Sequence, residues 1–415
     1  MDSGGEPSDL QPRALRRVLI LADSSADWRV AGLRQLDRLA LSLREFMRTS
    51  GEPITVAVLW STDTPQESRW IPDDSRLQGL MLNEADRDEE EEFDLVLSTR
   101  VVLYLNCFPQ LLMALPQPDQ RELTSGRASA DYGSTLERKL AATPDGTHKP
   151  WRYLQDQSDI SLCAREILWH SGKTQDGLIS RHINRPISRA VSRLLLKLSI
   201  APNAWSISIF ALPISACFLF LRGTDRAFFF GCAIYQLYSI LDGCDGEIAR
   251  AKFLQSDFGR RLDSLLDLAG NMLLALCLGA GLAHQWHRTY TTGWWFYAAE
   301  GIIAATLIGL SEGIVFARRS RVVTSPAVRW NGALYQRHHE FLERSGILVF
   351  GERFAWWLVQ FTKRDMAMLV FLFLAAIGFA EAILHLLVLV SGASAVFACN
   401  AFFRQPTPAV AQEAS

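Results

Sequence analysis

The sequence predicts an α/β N-terminal domain followed by an all-α transmembrane domain of six helices. Three observations predict it. Short apolar runs rich in Val, Ile and Leu alternate with a helical pattern over residues 1–175. Long apolar stretches dominate residues 200–402. Between them lies a segment with a cation at every fourth residue. The net charge of −2 averages over two unlike parts and excludes nothing. Seven cysteines (Cys107, Cys163, Cys217, Cys232, Cys244, Cys277 and Cys399) form no CxxC pair, so they read as small buried hydrophobes and not as disulfides or zinc ligands.

In chain order, residues 1–13 are a polar tail expected to be disordered. The α/β domain is expected over 14–175. Arg17 to Asp23 and Ile54 to Trp60 read as buried strands, Val30 to Thr49 as a helix, Gly79 to Leu82 as a third strand and Phe93 to Leu103 as containing a fourth. Glu84 to Asp94 is an acidic run, and Gly126 to Lys149 reads as loop. No secretory signal precedes the first domain, so it is expected in the cytosol. Residues 176–200 form a juxtamembrane amphipathic helix. Arg181, Arg185, Arg189, Arg193 and Lys197 would meet anionic headgroups, each gaining about 1 kcal/mol.

The membrane domain is expected over 201–403. Ala201-Pro-Asn203 breaks the chain, with Asn203 as N-cap. Spans follow at about 204–221, 227–249, 260–283 and 293–316, and Met366 to Phe402 holds two short ones breaking near Glu381 to His385. Lys252, Arg260, Arg261, Arg318, Arg319, Arg321, Lys363 and Arg364 fall on one side and only Arg222, Arg226 and Arg288 on the other. That asymmetry puts both termini and the motif described next in the cytosol. The loop from 317 to 364 would lie along the interface, and 404–415 is a polar tail expected to be disordered.

Asp242-Gly-Cys-Asp-Gly-Glu-Ile-Ala-Arg250, with Gly259, Asp263 and Asp267 after it, sets four aspartates at the ends of two adjacent spans. A carboxylate at mid-bilayer costs about 3 kcal/mol, and four unpaired ones on the order of 10 kcal/mol. A divalent cation is the natural binder. Asp242, Asp245, Gly246, Ala249 and Arg250 share one helix face, and Gly259, Asp263 and Asp267 form an i, i+4, i+8 line on the next. All-oxygen ligands select Mg²⁺ or Mn²⁺, and four of them suit two ions per site. Arg250 is a forked donor suited to phosphate. Arg260, Arg261, Lys363 and Arg364 lie near the motif and read either as binders of a phosphorylated acceptor or as positive-inside anchors. Glu312 either lines the pocket or reaches to water, and His284 and His287 read as interfacial.

The pattern D-x2-D-G-x2-A-R-x8-G-x3-D-x3-D resembles, at every specified position, the signature of the CDP-alcohol phosphotransferase family of integral-membrane enzymes. The resemblance implies a CDP-alcohol donor of the CDP-diacylglycerol or CDP-inositol type, a hydroxyl acceptor such as inositol phosphate, and CMP as leaving group. It implies Asp242, Asp245 and Asp263 as main metal ligands. Asp267 would complete the site and act as general base, and Gly246, Ala249, Arg250 and Gly259 would shape the nucleotide pocket. It also implies a homodimer in a lipid bilayer, with no nucleic acid as partner.

The position of the first domain is similar to that of the sugar-nucleotidyltransferase domain in bifunctional inositol-phosphate cytidylyltransferase fusions. Its residues depart from that pattern. Ala22-Asp-Ser-Ser-Ala-Asp-Trp28 has no glycine-rich turn, and Ser98-Thr-Arg-Val101 has no metal-binding acid. The expectation is a nucleotidyltransferase-like, Rossmann-like domain that is degenerate and non-catalytic; an unrelated α/β domain is the other reading. For the whole chain the leading expectation is an enzyme. The alternatives are a transporter using the intramembrane acids and a catalytically idle scaffold.

Overall fold

The structure, a computed structural model, describes residues 15–85, 93–104, 151–171, 177, 179–198, 200–321 and 363–403. The chain divides into two compact units, Met1–Ser171 with Ala251–Phe253, and Gly172–Arg250 with Leu254–Ser415.

The first unit is built on β1 (Arg17–Ala22), β4 (Thr55–Trp60), β5 (Met81–Glu84) and β6 (Leu95–Ser98), all parallel, in the order β5-β4-β1-β6. Val18 pairs with Val56 on one side and Leu95 on the other. Parallel strands buried on both faces need continuous apolar runs, which β1 and β4 supply. Helix α1 (Gln35–Ser50) crosses over between β1 and β4 and buries Leu36, Leu39, Ala40 and Leu43 against Val18, Ile20, Val56 and Val58. The helix starts later than Val30, because β2 (Arg29–Val30) and β3 (Leu33–Arg34) form a hairpin. Ala31 and Gly32 both take positive φ there (48° and 82°), the two-residue turn that a hairpin of this length requires. The third strand begins at Met81 instead of Gly79, whose φ of 90° excludes it. A short antiparallel pair, β7 (Val101–Leu103) with β8 (Trp151–Tyr153), follows β6, and α2 (Asp159–His170) closes the unit. Most of the acidic run and all of the expected 126–149 loop lie outside the described residues.

The strand order reverses between β1 and β6, which makes their carboxyl ends the crevice where such sheets bind ligands. The two stretches Asp23–Trp28 and Ser98–Arg100 meet there. Arg100 Nε donates to Asp23 Oδ2 at 2.7 Å, Ser25 Oγ and Thr99 Oγ1 lie 2.7 Å apart, and the Arg100 guanidinium lies 5.6 Å from the Trp28 ring centroid. The chain's own side chains engage one another in this crevice. Burial pushes the Asp23 carboxyl up, but hydrogen bonds from Ser25 and Arg100 outweigh it and hold the group below its ordinary value.

The second unit is helical. A single π-turn (Ser180–Asn184) leads into α3 (Arg185–Leu195). Helices α4 (Pro202–Ile209) and α5 (Ala211–Phe220) form one span with a break at Phe210; Pro213 has no N–H to offer the carbonyl four residues back. Then come α6 (Asp225–Ala251), α7 (Asp257–Thr289), α8 (Trp295–Arg321), α9 (Arg364–Ala376) and α10 (Ala380–Phe403). Among the described residues four segments are long and apolar enough to cross a membrane: Pro202–Phe220, Asp225–Ala251, Asp257–Thr289 and Trp295–Ile314. The stretch expected to hold the fifth and sixth spans forms α9 and α10, of which α9 has 13 residues and α10 has an apolar stretch, Ala380–Val396, shorter than the four spans. The break between α9 and α10 falls at Ile377–Phe379, where Gly378 has a φ of 81°, and not at Glu381–His385, which is helical. The loop expected over 317–364 lies mostly outside the described residues.

Phe220, Phe228, Tyr235, Leu274, Leu278, Phe371 and Ile383 form the shared core. Small residues let the backbones touch. A Cβ on Gly279 would stand 2.7 Å from Tyr297 O, and one on Gly301 would stand 2.8 Å from Ala275 O, so α7 and α8 cross at van der Waals distance. The juxtamembrane helix differs from expectation most at Arg185, and Arg189 is half-buried. Arg185 is buried together with Asn184, Ser188 and Ser192, while Arg181, Arg193, Ile183, Ile187 and Leu194 are exposed. Its inward face is polar because a carboxylate waits on α6. Asn203 does not cap α4 either; Ala201 holds that position and Pro202 is the first helical residue.

Candidate metal centre

Two helix segments meet at the motif. Asp242 and Asp245 lie in the last turns of α6. Ser256 caps α7, its Oγ accepting from Gly259 N at 3.0 Å, and Asp263 and Asp267 follow one and two turns later. Carboxylate oxygens of Asp242, Asp245 and Asp263 all lie within 4.8 Å of one another, and the three side chains are half-buried. Among the described residues this is the group of acids, histidines or cysteines that can hold a metal ion. Three half-buried carboxylates at that separation repel one another, and a bound cation relieves that repulsion. The donors are all oxygen, without imidazole or thiolate, so the set fits a hard divalent cation.

Asp245 is held in place from two directions. Ser206 Oγ of α4 donates to its Oδ2, and the Gly246 N–H donates to its Oδ1. Asp267 has other partners. Its Oδ1 accepts from Arg364 and from Tyr238 Oη at 3.3 Å. The second terminal nitrogen of Arg364 pairs with Asp242, so one guanidinium spans both carboxylates, lying 5.7 Å from the Tyr238 ring centroid. Of the four acids singled out in the sequence, three therefore form the compact group, and Arg364 engages the fourth.

Side chains of the protein itself lie close against the two motif glycines. A Cβ on Gly246 would stand 2.9 Å from Arg250 Nη1, so glycine lets that guanidinium fold back over the helix. A Cβ on Gly259 would stand 2.7 Å from Asn203 Oδ1, which brings the starts of α4 and α7 together. Ala249 is half-buried on the same face. Four cations are expected near the acceptor. Arg260 is exposed and pairs with Asp257 at 2.8 Å, Arg261 is exposed, Lys363 is half-buried, and Arg364 lies between the acids. Glu312 is exposed.

Sequence reasoning missed Ser206, Tyr238 and Glu247. Tyr238 had a signal: 238, 242 and 245 stand at i, i+4 and i+7 on one face. Ser206 had none beyond being polar in an apolar span.

Residues 199–334 match the family model described as CDP-alcohol phosphatidyltransferase. The membrane unit therefore carries a CDP-alcohol phosphatidyltransferase domain, with the motif acids inside the matched stretch. Relatives point to a narrower group. The chain is 30% identical over 194 residues to the "Bifunctional IPC transferase and DIPP synthase" of Thermococcus kodakarensis, covering 46% of this chain and 42% of that protein. Proteins of the same name match from Rubrobacter xylanophilus (40% identical over 134 residues, 32% of this chain and 30% of that protein) and Archaeoglobus fulgidus (36% over 138 residues, 31% and 26%). The chain thus spans less than half the length of the curated relatives it matches.

Proposed function

We propose that this protein is an integral-membrane phosphotransferase that moves a substituted phosphate from a CDP-alcohol to a hydroxyl acceptor with release of CMP, dependent on Mg²⁺ or Mn²⁺. The observation that carries the reading is the convergence of Asp242, Asp245 and Asp263 within a domain of the CDP-alcohol phosphatidyltransferase family. The three carboxylates would hold one cation directly, and Asp267 with Asp242 would hold a second once Arg364 leaves them. A bound divalent cation supplies charge neutralisation at the pyrophosphate and at the leaving phosphate.

The rest of the chemistry falls to the chain's own groups. Ser206 and the Gly246 N–H fix the Asp245 carboxylate, so its lone pairs face the centre. Asp267 accepts the proton of the attacking hydroxyl, while Tyr238 Oη holds its orientation. The acceptor oxygen bonds to the phosphorus next to the donor alcohol, the bond from that phosphorus to the CMP oxygen breaks, and CMP leaves with the electron pair. Arg250, folded over Gly246, would face the phosphates of the nucleotide, beside Ala249 and Gly259.

The names of the relatives favour an inositol-phosphate-type acceptor, for which Arg260, Arg261 and Lys363 would supply cations near the mouth. The charge asymmetry of the loops favours an active site on the cytosolic face, and the resemblance to the family favours a homodimer. The loop Ala22–Trp28 has no phosphate-cradling glycine, and Asp23 and Arg100 engage each other in the crevice, which favours a non-catalytic role for the first unit. The test is mass spectrometry of products after purified protein receives Mg²⁺, CDP-diacylglycerol or CDP-inositol, and a panel of acceptors. Metal-dependent CMP release with one acceptor is expected. CMP release undiminished by a chelator would sink the metal reading.

A further inference from the structure

The motif helix has a back face that the signature leaves unspecified. Gly243, Cys244 and Glu247 lie there, and all three meet the juxtamembrane helix α3. Glu247 is completely buried. Its Oε1 accepts from Arg185 Nη1 at 2.9 Å and from Ser188 Oγ at 2.8 Å, and its Oε2 accepts from Ser192 Oγ at 2.7 Å. Arg185 Nη1 also lies 3.4 Å from Gly243 O, and a Cβ on Gly243 would stand 2.9 Å from that nitrogen. The Cys244 thiol lies 3.4 Å from Ser188 O. A buried carboxylate with a charged partner and two hydroxyl donors has its oxygens satisfied in one arrangement only.

A second anchor lies at the other end of the segment. Asp365 is buried, and its Oδ2 accepts from Ser180 N at 2.6 Å. Gly177 packs against it so closely that a Cβ would stand 2.4 Å from Oδ2. Asp365 follows Arg364, the residue that spans Asp242 and Asp267. Glu247 follows Asp245 by two. Each carboxylate anchor of the 177–195 segment is therefore a near neighbour, along its own helix, of a residue at the metal centre.

We propose that the juxtamembrane helix is a structural member of the metal centre and that Arg185 is a positioning residue, acting through Glu247 and the Gly243 carbonyl to set the rotation of the last turns of α6. The inference rests on the metal reading above. Turning α6 about its axis would swing Asp242 and Asp245 away from Asp263, which lies on another helix. Outer groups that orient metal-binding side chains change metal affinity or activity by about 10–100-fold when removed.

The test is Mn²⁺ affinity of the detergent-purified full chain by electron paramagnetic resonance, with melting and elution as fold controls. Arg185→Met is expected to weaken Mn²⁺ binding by about 10–100-fold, and Arg185→Lys, which still reaches Glu247 with a cation, to recover most of it. Arg193→Gln removes the same charge from the exposed side of α3 and should leave the affinity unchanged. Gly243→Ala keeps every charge but pushes on the guanidinium, so a smaller loss is expected. Unchanged affinity in folded Arg185→Met overturns the proposal, as does an equal loss in Arg193→Gln. If Arg185→Met does not fold, Gly243→Ala decides, and wild-type affinity there overturns it. Absence of Mn²⁺ binding by the wild type would instead overturn the metal reading, and this inference with it.

Discussion

Replacing Arg364 with methionine keeps the stem of the side chain and removes the guanidinium from between Asp242 and Asp267. At about 4 Å between charge centres and an effective dielectric of about 20, each contact is worth about 4 kcal/mol before desolvation is charged against it. Breaking a buried pair by deleting one partner costs about 3–5 kcal/mol, because the remaining charge is left uncompensated. Here the side chains are 23% exposed for Arg364, 14% for Asp242 and 32% for Asp267, so water recovers part of that. A net loss of about 2–3 kcal/mol is expected for the metal-free protein. A divalent ion that takes the place of the guanidinium removes the penalty. Mn²⁺ should therefore bind the variant about 30- to 150-fold more tightly, at 1.4 kcal/mol per tenfold. Its melting temperature should fall without metal and rise further on Mn²⁺ addition than that of the wild type. The assay is Mn²⁺ titration by electron paramagnetic resonance alongside thermal melting. Equal or weaker Mn²⁺ affinity in a folded variant would refute the idea that Arg364 and the cation share these carboxylates.

Asp263→Asn is expected to abolish both Mn²⁺ binding and CMP release while elution and melting stay near wild type, since it removes one of three converging carboxylates; retained turnover would contradict the site. Asp267→Asn should keep Mn²⁺ and nucleotide binding better than turnover, because an amide cannot accept the hydroxyl proton, and near-full activity would remove Asp267 from the general-base role. The chain given CTP and a phosphorylated alcohol should release no pyrophosphate, since Asp23 and Arg100 engage each other where a triphosphate would need free donors; a pyrophosphate assay reads this directly. The Asp23 carboxyl is depressed in the folded state, so it binds a proton less readily there than in the unfolded chain. Its contribution is therefore complete above the ordinary value of 3.8 and is lost as pH falls through the lower folded value. Asp23→Asn should flatten that part of the acid-stability profile, followed by circular dichroism.

Some of this molecule was legible in the sequence because it rests on local chemistry. Apolar runs as long as β1 and β4 have few alternatives to buried strands, and spans of the length of α6 and α7 have few alternatives to membrane helices. The spacing of Asp242, Asp245 and Asp263 fixes which face each acid occupies, because helical periodicity is set by the backbone alone. The places where the sequence misled were short and governed by single backbone angles. Ala31 and Gly32 turned the start of an expected helix into a hairpin, and Gly378 broke the last two helices ahead of Glu381. What only the tertiary structure decided is which side chains from distant segments complete the site. Arg364 lies 97 residues from Asp267 and 122 from Asp242, and Arg185 lies 62 from Glu247. A stripe of arginines at four-residue spacing looks the same whether every member meets headgroups or one of them turns inward. The buried carboxylate that draws Arg185 in lies on another helix, and no periodicity in α3 records its position.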